Sequence, residues 1–135
     1  MSDKYIAMSY KRNILLSILS NIYPGKNLTC GTTYNSIILL PYGTLLVPES
    51  EISSKYNEYT IKYNLNILRF NRNRLLQESD RYGLSDYPFS TPEIKLEWFD
   101  YRTALRNITS EYPCPDVNDE DELINITWPT KPSSS

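Results

Sequence analysis

The sequence predicts an α+β fold: a short N-terminal helix and a small β-hairpin or meander, then two longer helices forming an αα-hairpin, then an extended Trp-Pro tail. Apolar residues recur at helical spacing near the N-terminus and again over two later segments. Between them lies a stretch rich in Thr, Tyr and Ile that turn residues divide into short pieces. The length of 135 residues suits a modest hydrophobic core.

The first helix is predicted over residues 10–23. Its apolar positions recur at i, i+1, i+4, i+5 and i+8, which places them on one helical face. They are Ile14, Leu15, Ile18, Leu19 and Ile22. Pro24 and Gly25 follow directly and are expected to end the helix.

A β-hairpin is predicted next, from residues 27–30 and 34–41, with a turn at residues 31–33 between the two strands. A third short strand is predicted over residues 44–47, after a second turn that contains Pro41 and Gly43. The predicted first region therefore spans residues 1–47.

The long helix is expected to begin at Pro48, because proline is favoured in the first helical turn and Glu49 and Glu51 suit the positive end of the helix dipole. No Gly or Pro follows until Gly83. Two apolar stripes predict two buried surfaces, packed either against the rest of the chain or against a second copy. One stripe contains Ile52, Tyr56, Tyr59, Tyr63 and Phe70, and the other contains Ile61, Leu65, Leu68 and Leu75.

A loop over residues 79–90 leads to the last helix. Thr91 is expected to cap it, with Pro92 at its first position and Glu93 near the dipole. The apolar stripe of this helix is Ile94, Trp98, Tyr101, Leu105 and Ile108. The two helices make the second region, residues 48–112, as an αα-hairpin.

The third region, residues 113–135, combines an acidic run with a terminal Trp-Pro strip. The acidic run over residues 116–122 is predicted to be a flexible tether. Trp128 and Pro129 belong to an extended segment suited to anchoring, because Pro reduces the entropy lost on docking and Trp supplies buried area. The strip either packs back onto the helices or inserts into a groove on a partner.

The composition argues against an enzyme, a metal site or a cofactor site. The chain has no His, so it lacks the usual general base near neutral pH and the commonest metal ligand. Glu93, Glu97 and Asp100 share one helix face, and a solvated acidic face explains them better than acid–base catalysis. Cys30 and Cys114 lack a His partner and fit two free thiols in a reducing compartment.

The charge balance argues against nucleic acid, and the lengths of the apolar runs argue against a membrane span. The 14 Lys+Arg nearly balance the 16 Asp+Glu, which leaves a weak electrostatic footprint. No apolar run approaches the roughly 18 residues of a membrane span. Two groups of basic residues are expected to form salt bridges with nearby carboxylates. The groups are Arg69, Arg72 and Arg74, and Arg102 and Arg106, with Asp80, Asp86 and Asp100 as partners.

Four segments carry a resemblance to a known family. Residues 72–80 read Arg-Asn-Arg-Leu-Leu-Gln-Glu-Ser-Asp, and residues 84–88 read Leu-Ser-Asp-Tyr-Pro. Residues 97–108 contain Glu-Trp-Phe-Asp-Tyr-Arg and Leu-Arg, and residues 126–132 read Ile-Thr-Trp-Pro-Thr-Lys-Pro. In order and spacing this half of the chain resembles the phage tail assembly chaperone family, and its end is similar to tail fibre assembly proteins. One departure is Arg81-Tyr82, where the family usually has Trp.

The resemblance implies a non-enzymatic viral protein, of phage origin, that assists assembly of a tail or tail fibre through protein contacts. Its expected partners are tail, tail-fibre or other virion proteins, with self-association as a further option, and its expected place is the host cytoplasm during assembly or the virion. The alternative is a stoichiometric structural component of the virion. The candidate partner-binding residues are Arg72, Arg74, Asp80, Asp86, Trp98, Tyr101, Arg102, Arg106, Trp128 and Pro129.

Overall fold

The computed structural model describes residues 8–41 and 46–135, and it confirms the α+β class. The helices are α1 (Arg12–Ile22), α2 (Glu49–Glu78), α3 (Pro92–Arg106) and α4 (Ile108–Glu111). The strands are β1 (Asn27–Thr29), β2 (Ile38–Leu40), β3 (Asp116–Val117) and β4 (Leu123–Ile124). The chain divides into two compact units, one ending at Tyr63 and the other beginning at Asn64. The three regions that the sequence predicts, residues 1–47, 48–112 and 113–135, stay a prediction.

Helix α1 forms the centre of the first unit's core. Its predicted apolar face is confirmed, since Ile14, Leu15, Ile18 and Leu19 are completely buried. The helix ends one residue before Tyr23, whose backbone N–H donates to the Leu19 carbonyl at 2.8 Å. Burying this single apolar stripe is the main contribution of α1 to folding.

The predicted hairpin is confirmed as an antiparallel pair of β1 and β2, with Leu28 opposite Leu39. The second strand is shorter than predicted, because Tyr34–Ser36 forms a 3₁₀ turn instead. Ser36 stabilises this turn, since its hydroxyl accepts the Gly31 N–H at 2.8 Å. Of the predicted third strand, residues 44 and 45 lie outside the described residues, and Leu46 and Val47 are in no strand.

The first turns of α2 belong to the same unit and carry most of the first predicted stripe. Ile52 is completely buried, and Tyr56, Tyr59 and Tyr63 pack against the core. Tyr56 stacks edge-on with Tyr10 at 4.9 Å between ring centroids. The Tyr56 hydroxyl also accepts the Lys11 backbone N–H at 2.8 Å, so the tyrosine serves both packing and hydrogen bonding.

Phe70 is the exception in that stripe, and its predicted burial is wrong: the side chain is 72% exposed. The apolar core that the stripe packs against belongs to the unit that ends at Tyr63. Further along α2, Leu68 is completely buried and Leu75 packs against the core of the second unit. The first part of α2 therefore contributes to the core of the first unit, and the later part contributes to the core of the second unit.

The second unit contains the predicted αα-hairpin. Its core is Trp98, Tyr101 and Leu105 of α3, against which Leu75 of α2 packs. The predicted cap is confirmed, because the Ile94 N–H donates to the Thr91 hydroxyl at 3.2 Å. Helix α3 stops at Arg106, and the buried Ile108 begins the separate short helix α4.

The acidic run is not a flexible tether. Strands β3 and β4 pair antiparallel on either side of it, with Val117 opposite Leu123. The Asn118 side-chain oxygen accepts the backbone N–H groups of Glu120 and Glu122, at 3.0 and 2.9 Å. An Asn whose side chain satisfies backbone donors stabilises a tight turn, so local hydrogen bonds order a segment that composition alone suggests is disordered.

Candidate protein-binding site

The aromatic centre of the second unit is built around Trp98, which is only 2% exposed. One face of its indole stacks on Tyr82, with ring centroids 3.8 Å apart and planes 15° apart. Its edge meets Tyr101 at 5.8 Å and 85°. Trp98 and Tyr101 come from one face of α3, and Tyr82 comes from the 3₁₀ turn Asp80–Gly83 that follows α2.

The terminal strip, residues 128–135, packs inward onto this centre. Trp128 is half-buried against the Trp98 cluster, and the Trp98 indole N–H donates to the Ser134 carbonyl at 2.7 Å. The Ser90 hydroxyl donates to the Ser135 carbonyl at 2.6 Å. The sequence allows the strip either to pack back onto the helices or to insert into a partner, and in the structure it packs back onto the helices of its own unit. Pro129 lines two grooves there, each shared with Tyr101.

Arg102 connects the two long helices from inside the unit. It is 8% exposed, and its guanidinium donates to the Leu76 carbonyl at 2.8 Å and to the Ser79 hydroxyl at 2.7 Å. Its other terminal nitrogen lies 3.1 Å from the Asp80 carboxylate, which confirms an expected ion pair. The carbonyls at the end of a helix lack partners within it, so Arg102 satisfies an end group of α2.

The remaining charged candidates lie on the surface. Arg72 donates to the Arg106 backbone carbonyl at 3.4 Å and to Asn73 at 2.7 Å. Arg74 lies 4.0 Å from Glu78, one turn along α2. Asp86 is exposed and belongs to no ion pair among residues 8–41 and 46–135. These residues are distributed over the unit and do not form a single cluster.

One face of α3 combines apolar and basic side chains. Lys95, Phe99, Arg102 and Arg106 recur at i, i+4, i+7 and i+11, which is one helical face. With Leu84 of the preceding loop they line a groove of about 300 Å³, called here the basic groove. Its complete lining is Tyr82, Gly83, Leu84, Ser85, Lys95, Phe99, Arg102 and Arg106.

Sequence reasoning missed the apolar part of this groove. Phe99 is 62% exposed and Leu84 is 57% exposed. Leu96, one turn before Phe99 on a neighbouring face of α3, is also 57% exposed. The missed signal was the spacing of Lys95, Phe99 and Arg106, which lie off the buried stripe and on one face together.

Two buried acidic groups have perturbed ionisation. Burial raises the pKa of the Tyr101 hydroxyl, Glu78 raises it further, and the nearby Arg102 opposes both effects. Burial also raises the pKa of the Cys30 thiol, and Arg12 partly offsets this effect. Both Cys30 and Cys114 are free thiols, as predicted.

Two kinds of feature are absent from the described part of the chain. No helix in residues 8–41 or 46–135 is long and apolar enough to cross a membrane. The same residues contain no group of three or more His, Cys, Asp or Glu side chains arranged to hold a metal ion.

The second unit is also the part of the chain that is similar to a known family. The family model of the phage tail assembly chaperone protein matches residues 65–133, about half of the chain. This match contains the Trp98 centre, the Arg102 network, the basic groove and most of the terminal strip. No curated protein and no solved structure matches the chain. Because the family model covers half of the sequence, the chain belongs to the phage tail assembly chaperone family.

Proposed function

We propose that this protein is a non-enzymatic chaperone that binds an unassembled phage tail or tail-fibre subunit through direct protein contacts. Membership of the family supports a role in tail assembly. The observation that carries the contact mechanism is the exposure of Leu84, Leu96 and Phe99 on the family-matched part of the chain. Large apolar side chains grouped at a surface are typical of protein-binding sites.

The proposed mechanism is temporary coverage of an apolar surface on the client. An unassembled subunit exposes surface that is buried in the finished tail, and the chaperone's exposed apolar residues shield it from aggregation. Release follows because the growing tail binds that surface more strongly than the chaperone does. We place this activity in the host cytoplasm, where tail subunits are made.

The ten candidate residues divide into two proposed roles. We propose that Arg106, at the exposed end of α3, and Arg72 of α2, which donates to the Arg106 carbonyl, contribute to client contact, with Arg74 and Asp86 as further surface candidates. The others are buried or packed inside the unit, apart from Asp80, which is exposed but ion-paired with the buried Arg102, and we propose that they position the contact surface. These are Asp80, Trp98, Tyr101, Arg102, Trp128 and Pro129.

Co-expression tests the proposal. The full chain is produced together with each tail and tail-fibre subunit encoded beside it, and soluble complexes are isolated by size-exclusion chromatography. We expect one subunit to remain soluble and to elute with this chain, and to aggregate without it. If every neighbouring subunit stays soluble alone and none associates with this chain, the chaperone function is wrong.

Quantitative mass spectrometry of purified particles tests the alternative. A chaperone that yields its client during assembly is expected to be absent from particles or far below the copy number of the tail subunits. Presence at a fixed ratio to a tail subunit would instead support a structural component of the virion. The same measurement on assembly intermediates shows when the protein leaves.

A further inference from the structure

We propose that the basic groove receives an acidic segment of the client that carries an apolar anchor residue. This inference deepens the proposed chaperone function and rests on it. The contact surface consists of Leu84, Lys95, Phe99 and Arg106, with Arg102 beneath them. The bound segment is acidic and carries one apolar side chain.

The charge of the groove has one sign. Its lining includes Lys95, Arg102 and Arg106, and none of its eight lining residues is acidic. The acidic side chains of α3 lie on another face, since about 100° per residue separates them from the groove. They are Glu93, Glu97 and Asp100. A chain with net charge −2 thus presents a local positive surface, which selects an acidic partner.

The apolar part of the groove suits an anchor side chain. Phe99 lies one turn from both Lys95 and Arg102 on α3, and Leu84 contributes from the loop. The volume of about 300 Å³ is at the lower limit of small-molecule sites, so a protein side chain fits it better than a large ligand. Apolar anchors surrounded by charged groups are typical of peptide-binding surfaces.

The floor of the groove is fixed in advance. Arg102 is held by Leu76, Ser79 and Asp80, so the floor does not have to be ordered on binding; because the Asp80 carboxylate pairs with it, the net positive charge of the groove comes from Lys95 and Arg106. Its Nε–H is buried and has no hydrogen-bond partner in the described part of the chain. Gly83 covers this group closely, because an added Cβ would lie 3.1 Å from Arg102 Nε.

A protein segment fits this surface better than nucleic acid does. Only Lys95 and Arg106 offer exposed cations in the groove, because Arg102 is buried and already hydrogen-bonded. Binding of a phosphate backbone requires several such contacts along an extended surface. The prominent side chain between the two cations is Phe99, which requires an apolar contact.

Peptide binding to the full chain tests the chemistry. The probe is a fluorescein-labelled peptide of about a dozen residues in which Asp and Glu alternate with Leu and a single Phe, followed by fluorescence anisotropy. Matched peptides carry Lys in place of the acidic residues, or Ser in place of the apolar ones. We expect the acidic apolar peptide to bind at least about tenfold more tightly than either matched peptide.

Paired variants assign the binding to the groove. Phe99→Ser and Arg106→Glu are each expected to weaken binding of the acidic peptide at least about tenfold. Their controls, Phe70→Ser and Arg69→Glu, change the same residue types at exposed positions of α2 and are expected to leave binding unchanged. Circular dichroism checks that all four variants stay folded. The inference is overturned if the groove variants bind the acidic peptide as well as the control variants do, or if the Lys peptide binds more tightly than the acidic one.

The outcome for the client separates this inference from the proposed function. If a tail subunit forms a complex that Phe99→Ser and Arg106→Glu do not weaken, the chaperone function stands and the groove assignment fails. If the acidic peptide binds the groove but no tail subunit does, the chaperone function fails. If sedimentation shows self-association that Phe99→Ser abolishes, the occupant is a second copy and the inference is wrong.

Discussion

The indole N–H of Trp98 donates a hydrogen bond to the backbone carbonyl of Ser134 at 2.7 Å, and so fastens the end of the chain to the middle of α3. The residue is already enclosed by Tyr82 and Tyr101, so this bond satisfies the one polar group of a buried tryptophan. The terminal strip thereby becomes part of the second unit's core structure, and changes in either partner affect both.

Trp98→Ala should destabilise the protein by about 3–5 kcal/mol, because it removes a fully buried side chain and leaves a cavity beside Tyr82 and Tyr101. Urea unfolding followed by circular dichroism measures the change. The neighbouring Phe99→Ala is the matched control, since its side chain is mostly exposed and should change stability by less than about 0.5 kcal/mol. Equal effects of the two substitutions would contradict the assigned burial.

Local chemistry explains which parts of the fold were predictable. The α3 stripe and the Thr91 cap depend on residues within a few positions of each other, so spacing alone located them. Phe70 continues a helical stripe as well, but its burial depends on where the first unit ends, which spacing does not encode. The acidic turn likewise depended on one side chain, Asn118, whose hydrogen bonds outweigh an unfavourable composition.

Among the candidate site residues, the burial of those on the apolar stripe was predictable, and the surroundings of the charged ones were less so. Trp98 and Tyr101 were found because they belong to the apolar stripe, and the structure buries both. Arg102 was expected to form a salt bridge and does so with Asp80, but its burial and its bonds to the Leu76 carbonyl and the Ser79 hydroxyl depend on the end of α2, which is distant in sequence. The exposure of Phe99 follows from its place off the buried stripe, on one face with Lys95 and Arg106, although burial is the usual expectation for an aromatic residue next to a core tryptophan.

Arg102→Met should destabilise the protein by about 2–3 kcal/mol, because the Leu76 carbonyl and the Ser79 hydroxyl each lose a charged donor in a buried position. Asp80→Asn tests the remaining part of the network. The Asp80 side chain is 65% exposed, so its ion pair is screened by water and its loss should cost less than about 1 kcal/mol. Guanidinium unfolding of both variants compares them, and a larger loss for Asp80→Asn would contradict the assigned network.

Tyr101 should make stability decrease at alkaline pH. Burial raises the pKa of the folded-state hydroxyl above its ordinary value of 10.0, so the unfolded chain ionises first as pH rises. The contribution of Tyr101 to the free energy of unfolding is complete below that ordinary pKa, and it is lost as pH rises through the folded-state pKa. Unfolding at several pH values between about 8 and about 11 should show a smaller alkaline loss for Tyr101→Phe than for wild type, since the other tyrosines remain in both. Parallel pH profiles would contradict the assigned cause.

Trp128→Ala should destabilise the second unit by about 1–3 kcal/mol, less than Trp98→Ala, because the Trp128 side chain is only half-buried. Loss of this anchor should also loosen the Trp98–Ser134 bond, since both contacts hold the same strip. Hydrogen exchange followed by NMR should then show faster exchange of the Trp98 indole N–H, which donates to the Ser134 carbonyl, while the backbone N–H groups of α1 keep their protection. Stability equal to wild type, together with weaker client binding, would mean that Trp128 serves a partner instead of its own unit.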